Sequence, residues 1–486
     1  MPHHSPSAPL PRLLVAAPAS GQGKTTVATG LMAALAGRGL AVAPAKVGPD
    51  YVDPGFHALA TGRPGRNLDP WLTSEELLAP LLLHGARTPR PADVVVVEGV
   101  MGLFDGRLGT EGFASSAHVA RLTATPVLLV VDASASSRTV GAVVAGMVGF
   151  DPGLHVGGVV LNRIASEQHE AEVRSAVESV GVPVVGALRH HEALTMPSRH
   201  LGLVPAAERH EAAESVRAIG EAVARGVDLE AVLEVARSAP ALDAEPWSPQ
   251  EALAEAGWTP YLSESRPVVA VAGGAAFTFR YAETTELLEA AGCEVVEVDP
   301  LSDAALPEGV AGIYLGGGFP EVHAEKLAGN EGFLGSLRAA VEAGVPTVAE
   351  CAGMLYLARS LDGRPMAGVL PTDATMRPGL RLGYDRLVAP VDSVLGPAGT
   401  RVTSHEFHRT GCEPAAAEAG GTEGAEGAEG AGWLVGPEGR PDGFALDPAG
   451  TGRATVHATY PHLHWAGAPG VAASFARAVY EGRARR

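Results

Sequence analysis

The sequence predicts an α/β protein of two domains in series, each built on a mostly parallel sheet. Three observations carry that expectation. Apolar, β-branched runs alternate with helical stretches through both halves, and the alternation lapses between about Ser238 and Arg266. In each half, one strand run also ends in small residues that open a helix, at SGQGKTT (20–26) and at ECAG (350–353).

Taken in order, residues 1–11 lack the charged start and apolar core of a secretory signal and read as a flexible N-terminal arm. LLVAA at 13–17, VVVVE at 94–98, PVLLVVD at 126–132 and VGGVVLN at 156–162 are continuous runs, the kind needed by parallel strands covered on both faces. They place a first domain over 12–237. SAPALDAEPWSPQ, a short helical piece and a proline make 238–266 a linker. Alternation resumes with PVVAVAGG (267–274), CEVVEVD (293–299), GIYLGGG (312–318) and PTVAECAG (346–353), so 267–486 form a second domain. Within it, 413–432 (EPAAAEAGGTEGAEGAEGAG) is a Gly/Ala/Glu tract that cannot bury a core and reads as a disordered insertion.

Composition narrows the function. The 486 residues carry 36 Lys+Arg against 55 Asp+Glu, a net charge of -19, which disfavours phosphate backbones as partners and leaves no expectation of nucleic-acid binding. With 46% hydrophobic and 19% charged residues the chain is globular. No apolar run reaches the roughly 18–20 residues that cross a bilayer, so no membrane association is expected. Three cysteines, Cys293, Cys351 and Cys412, fit a reducing, cytoplasmic setting better than a disulfide framework. Of the 36 basic residues only Lys24, Lys46 and Lys326 are lysine. Lysine that persists against such an arginine bias suggests a need for a compact point charge.

The first candidate site follows the first strand. Ser20, Gly21, Gly23, Lys24, Thr25 and Thr26 lie in a Gly-rich turn that opens a helix. Main-chain N–H groups there can cradle phosphates, Lys24 can reach the terminal phosphates, and Thr25 can ligate Mg²⁺. Pro18 stands where the P-loop consensus has its first glycine. Glu98, at the end of VVVVE, is a carboxylate able to hold Mg²⁺, and KVGPDYVDPGFH (46–57) offers Lys46, Asp50 and Asp53 in a Gly/Pro-rich loop.

The second candidate site is Cys351, presented where PTVAE turns into a helix. That is the cysteine counterpart of a nucleophile elbow, in which a helix N-terminus favours thiolate and main-chain amides can bind an oxyanion. LGGGFPE (315–321) supplies closely approaching amides, and TYPHLHW (459–465) supplies His462 and His464 as bases. Their HxH spacing leaves a metal site open as a rival.

Together these segments resemble the cobyrinate and hydrogenobyrinate a,c-diamide synthases of corrinoid biosynthesis. The resemblance runs from about Arg12 to Ala478 and rests on SGQGKTT, KVGPDYVDPGFH with GRPGRNLDPW, EGVMGLFDG, RHLGL (199–203), LGGGFPE, AECAGMLYL, SHEFHRT (404–410) and TYPHLHW, in the family's order. It implies a dethiobiotin-synthetase-like P-loop ATPase followed by a flavodoxin-like class I glutamine amidotransferase domain. Cys351 would attack L-glutamine with His462 as its base. The ATPase site would phosphorylate a corrinoid carboxylate, ammonia would displace the phosphate, and the a and c side chains of hydrogenobyrinate would become amides. Thr25, Asp50 and Glu98 would hold Mg²⁺, Lys24 and Lys46 would contact the transferring phosphate of ATP, and Asn162 would lie by the adenine. Cobyrinate or a nickel sirohydrochlorin is the alternative substrate, and a homodimer is left open. From another class, a P-loop partitioning or regulatory ATPase with a non-catalytic C-terminal binding domain remains a rival. Ala352 stands where the family usually has glycine, Ser404 where it often has glycine, and His464 where many class I amidotransferases carry a glutamate.

Overall fold

A computed structural model of the chain describes residues 10–189, 209–261, 266–413 and 430–485. It divides into two compact units, residues 1–70 with 74–247, and residues 71–73 with 248–486. No helix among the described residues is long and apolar enough to cross a membrane.

The first unit strings together β1 (Arg12–Ala16), α1 (Lys24–Gly37), β2 (Val42–Val47), α2 (Val52–Thr61), β3 (Arg66–Leu68), α3 (Glu75–Arg87), β4 (Val94–Glu98), α4 (Ser116–Leu122), β5 (Val127–Asp132), α5 (Thr139–Phe150), β6 (Val156–Ile164), α6 (Glu167–Glu178), β7 (Val184–Arg189), α7 (Arg209–Gly226) and α8 (Leu229–Arg237). Its seven strands form one sheet, order β3-β2-β4-β1-β5-β6-β7, and every pairing is parallel. β1, β4 and β5 are buried almost throughout because helices cover both faces, which is why they read as unbroken apolar runs. α1 is apolar nearly all round and is covered on both sides, by the sheet and by α7. Small residues allow the close approach: a Cβ on Gly30 would lie 2.5 Å from Val223 Cγ2.

The second unit contains α9 (Pro249–Glu255), β8 (Val268–Ala272), α10 (Ala282–Ala290), β9 (Glu294–Val298), β10 (Val310–Leu315), α11 (Ala324–Gly329), α12 (Glu331–Glu342), β11 (Thr347–Glu350), α13 (Ala352–Leu357), β12 (Ser360–Leu361), β13 (Arg364–Pro365), β14 (Asp373–Val388), β15 (Arg401–Glu413), β16 (Trp433–Val435), β17 (Arg440–Asp442), β18 (Phe444–Leu446), β19 (Val456–Thr459) and α14 (Pro469–Arg485). Its main sheet has the order β18-β19-β11-β10-β8-β9, with only β18 antiparallel. A second sheet is built on the long antiparallel hairpin β14–β15, which the sequence reading did not anticipate.

Two expectations about irregular segments need correction in part. The stretch read as a linker contains α9, which packs on α10 and α14, with Trp258 buried at its C-terminal end. Of the tract read as a disordered insertion, 414–429 lie outside the described residues, as do RHLGL and residues 1–9 of the N-terminal arm. The ends of that tract are ordered. Glu413 pairs with Asp373 in the β14–β15 ladder, and Gly432 N–H donates to the Asp442 carbonyl at 3.0 Å.

Candidate functional site

Sheet register assembles the first site. β1 lies between β4 and β5, and the pairings Val15↔Glu98, Lys46↔Glu98 and Asp132↔Asn162 bring the ends of the central strands to one edge, where the Gly-rich turn leaves β1. Gly23 caps α1 with φ 96°, a left-handed conformation, and a Cβ there would lie 2.2 Å from Asn162 Nδ2. Asn162 donates from Nδ2 to the Gln22 carbonyl at 2.8 Å, and Gln22 Oε1 accepts from Asp132 N–H at 2.8 Å. The ends of β5 and β6 therefore brace the turn. The 98–106 loop runs alongside it, with Gly99 and Leu103 N–H groups donating to the Val15 and Ala17 carbonyls.

Glu98 is the hub, fully buried. Its Oε1 accepts from Thr25 Oγ1 at 2.6 Å and from Lys46 Nζ at 3.2 Å, and its Oε2 lies 2.7 Å from His57 Nε2. Lys46 also pairs with Asp53 at 2.8 Å and donates to the Gly99 carbonyl. Burial works to raise the Glu98 carboxyl, but Lys46, His57 and Thr25 outweigh it and hold the group well below the usual carboxylate range. Burial likewise works to lower the Lys46 ammonium, and Glu98, Asp53 and Asp50 overcome it, so Lys46 is held charged. Asp53 is pushed up by burial and by Glu98. Lys24 is pushed down by burial and by Lys46, and its Nζ rests on the carbonyls of Met101 and Ala19.

The hydroxyl of Thr25 and the carboxylate of Glu98 are hard oxygen donors beside the Gly-rich turn, a donor set that fits Mg²⁺. Asp50 sits at the N-terminus of α2, where its Oδ1 accepts from Val52 N–H at 2.8 Å and Asp53 N–H at 3.3 Å, leaving Oδ2 as its other donor. Sequence reasoning missed His57 and gave Asp53 no role. The signal was their i, i+4 spacing, which puts both on one face of α2.

The second site is organised by β11. Cys351, between β11 and α13, has φ 47° and ψ -99°, a conformation L-residues rarely adopt. Its N–H donates to the Thr459 carbonyl at 2.7 Å. A Cβ on Gly353 would lie 2.3 Å from the Leu315 carbonyl, so only glycine lets α13 leave the sheet here. The expectation that a helix N-terminus favours thiolate is corrected. Burial, with Glu321, Glu350 and Glu406 nearby, pushes the Cys351 thiol well up, against the lowering effect of the Ala352 N–H.

His462 is buried. Its main chain exchanges two hydrogen bonds with His405, at 2.9 and 3.2 Å, and a Cβ on Gly317 would lie 2.5 Å from its Cε1. Its Nδ1 stands 3.6 Å from Glu350 Oε2, whereas His464 Nε2 stands 3.6 Å from Glu283 Oε2. The HxH pair thus faces two different carboxylates. In the SHEFHRT segment, His405 is buried and held down to about 3 by burial and by His462, Glu406 pairs with Arg381 and Arg440, and His408 stacks on Tyr460 at 3.7 Å. His405 is therefore not a surface residue. Gly317 and Phe319 N–H groups donate to the Phe279 and Ala276 carbonyls, so those amides of LGGGFPE hold structure.

Comparison with known proteins adds the following. Residues 13–204 match the family described as CobQ/CobB/MinD/ParA nucleotide binding domain, and residues 268–470 match the CobB/CobQ-like glutamine amidotransferase domain. The chain is 59% identical to hydrogenobyrinate a,c-diamide synthase of Thermobifida fusca, with 98% of each chain covered. It is 53% identical to that of Streptomyces coelicolor, covering 96% of this chain and 97% of the relative. It is 36% identical to cobyrinate a,c-diamide synthase of a Synechococcus species, covering 97% and 99%. On these full-length likenesses the chain belongs to the family of hydrogenobyrinate and cobyrinate a,c-diamide synthases.

Proposed function

We propose that this protein is an ATP- and glutamine-dependent ligase that converts the a and c side-chain carboxylates of hydrogenobyrinate into amides. The observation that carries the substrate is the grading of identity: the relatives at 59% and 53% are hydrogenobyrinate enzymes, while the cobyrinate enzyme stands at 36%. A carboxylate is a poor acyl donor and needs a leaving group. Ammonia is mostly ammonium near neutral pH and needs to be made where it is used. A phosphate cradle and a thiol elbow in one chain answer the two needs and disfavour a partitioning ATPase with an inert second domain.

In the first unit, Ser20, Gly21, Gly23 and Thr26 would cradle the phosphates of ATP, and Lys24 would leave its carbonyl partners for the terminal phosphate. Lys46, kept charged by Glu98 and Asp53, would stabilise charge on the phosphoryl group as it moves to the substrate carboxylate. Thr25, Asp50 and Glu98 would hold Mg²⁺, which when bound neutralises phosphate charge. Asn162 has one N–H and one lone pair beyond its bonds to Gln22 and Arg163, and these would face the adenine.

In the second unit, His462 would take the proton of the Cys351 thiol as sulfur attacks the glutamine amide carbon. The proton would then pass to the departing nitrogen, so that ammonia leaves and a thioester remains for water to cleave. Ala352 N–H, which donates to the sulfur, would be available to the developing oxyanion.

The test gives the purified protein hydrogenobyrinate and cobyrinate in parallel with MgATP and glutamine, and counts amides by mass spectrometry. Two amides on hydrogenobyrinate are expected. Amidation of cobyrinate alone would move the substrate, and no amide on either would remove the ligase reading. Cys351→Ala should lose synthesis from glutamine and keep it from added ammonia.

A further inference from the structure

We infer that Glu350, the residue directly before the nucleophile, is the positioning residue that orients His462. This rests on the reading of His462 as the base for Cys351. Parallel register makes the placement unavoidable: Glu350 pairs with Thr459 at the end of β19, and the chain reaches His462 three residues later at the same sheet edge. There Glu350 Oε2 stands 3.6 Å from His462 Nδ1 and accepts from Tyr314 Oη at 3.0 Å. All three side chains are buried.

The main chain of His462 is fixed by its exchange with His405, and Gly317 gives its ring room on one side. The role of base also needs a set ring rotation and a defined nitrogen to carry hydrogen. A carboxylate facing Nδ1 favours hydrogen on that nitrogen, leaves Nε2 as the proton acceptor and stabilises the imidazolium that forms when it takes the thiol proton. Glu350 is costly where it stands. Its Oε1 has no hydrogen-bond partner, and its charge adds to those that oppose thiolate at Cys351. A buried apolar residue on β11 would be the more stable choice. The carboxylate that many class I amidotransferases place two residues after the base is replaced here by His464, whose partner is Glu283.

The experiment measures glutamine hydrolysis and ammonia-driven synthesis in the full-length protein. Glu350→Gln should lower kcat for glutamine hydrolysis by about 10²–10⁴-fold with KM for glutamine nearly unchanged. Synthesis from ammonia should continue at the wild-type rate, and Glu350→Asp should restore part of kcat. Tyr314→Phe, a milder change, should lower the same kcat by about 2–10-fold. Glu283→Gln should leave it unaltered. Retained kcat in Glu350→Gln, a loss confined to KM, or a parallel loss of ammonia-driven synthesis would overturn the inference. If Glu350→Gln does not fold, an unchanged kcat in Tyr314→Phe overturns it instead. His462→Ala separates the two levels: if it still hydrolyses glutamine, the base reading fails, and if it is inactive while Glu350→Gln is active, only the role of Glu350 fails.

Discussion

Replacing Gly23 with alanine tests how the Gly-rich turn before α1 is held. Two costs are built into the position. Its φ of 96° is disfavoured for any residue with a Cβ, by about 1–2 kcal/mol. The new Cβ would also lie 2.2 Å from Asn162 Nδ2, so Asn162 must swing away and surrender its 2.8 Å bond to the Gln22 carbonyl. That is a further loss of about 0.5–1.5 kcal/mol. Gly21 provides the control, because its φ is 79° yet a Cβ there meets nothing within 4 Å. Denaturant unfolding followed in the first unit should therefore show Gly23→Ala costing about 1.5–3.5 kcal/mol and Gly21→Ala about 1–2. Adding Asn162→Gly to Gly23→Ala should cost less than the sum of the two single changes, since the clash is relieved. ATP binding should weaken in Gly23→Ala. Equal destabilisation by the two glycine variants, or strict additivity with Asn162→Gly, would refute the claim that Asn162 braces the turn.

Lys46→Met leaves Glu98 and Asp53 buried together without their cation, and should cost about 3–5 kcal/mol in urea unfolding. It should also stop synthesis from both nitrogen sources, as read by phosphate release. Gly317→Ala drives a methyl into the His462 ring, so glutamine hydrolysis should fall while ammonia-driven synthesis persists. Because burial and neighbouring carboxylates raise the Cys351 thiol, its thiolate fraction is small at neutral pH. Alkylation of Cys351, followed by mass spectrometry, should still be rising above pH 9, and a plateau below pH 7 would contradict that electrostatic picture.

The parts of this molecule that could be read in one dimension were those fixed by local chemistry. VVVVE coincides with β4 because a strand buried on both faces has no polar alternation to blur it. The turn before Lys24 and the elbow at Cys351 were legible because small residues are required wherever a Cβ would collide. β2 was harder, since Pro44 in its middle argues against a strand. β14 was harder still: much of it is exposed and interrupted by Pro378, Gly379 and Gly383, so it carries no apolar period. Two buried partners, His57 of Glu98 and Glu350 of His462, were the hardest to read. They reach Glu98 and His462 only through helix placement and strand register, which depend on pairings over long separations.

The two-way main-chain exchange between His405 and His462 bears on how this site tolerates change. Amide and carbonyl groups are common to nearly every residue, so His462 is anchored by atoms that substitution at position 405 leaves in place. What would displace it is a slip in length. One residue gained or lost between Thr459 and His462, or a shifted ladder in the β14–β15 hairpin, would turn the imidazole away from Glu350 while every side chain remained present. The site is thus permissive to altered letters and intolerant of altered spacing, and deletion scanning across 459–462 would expose that contrast where substitution scanning would not.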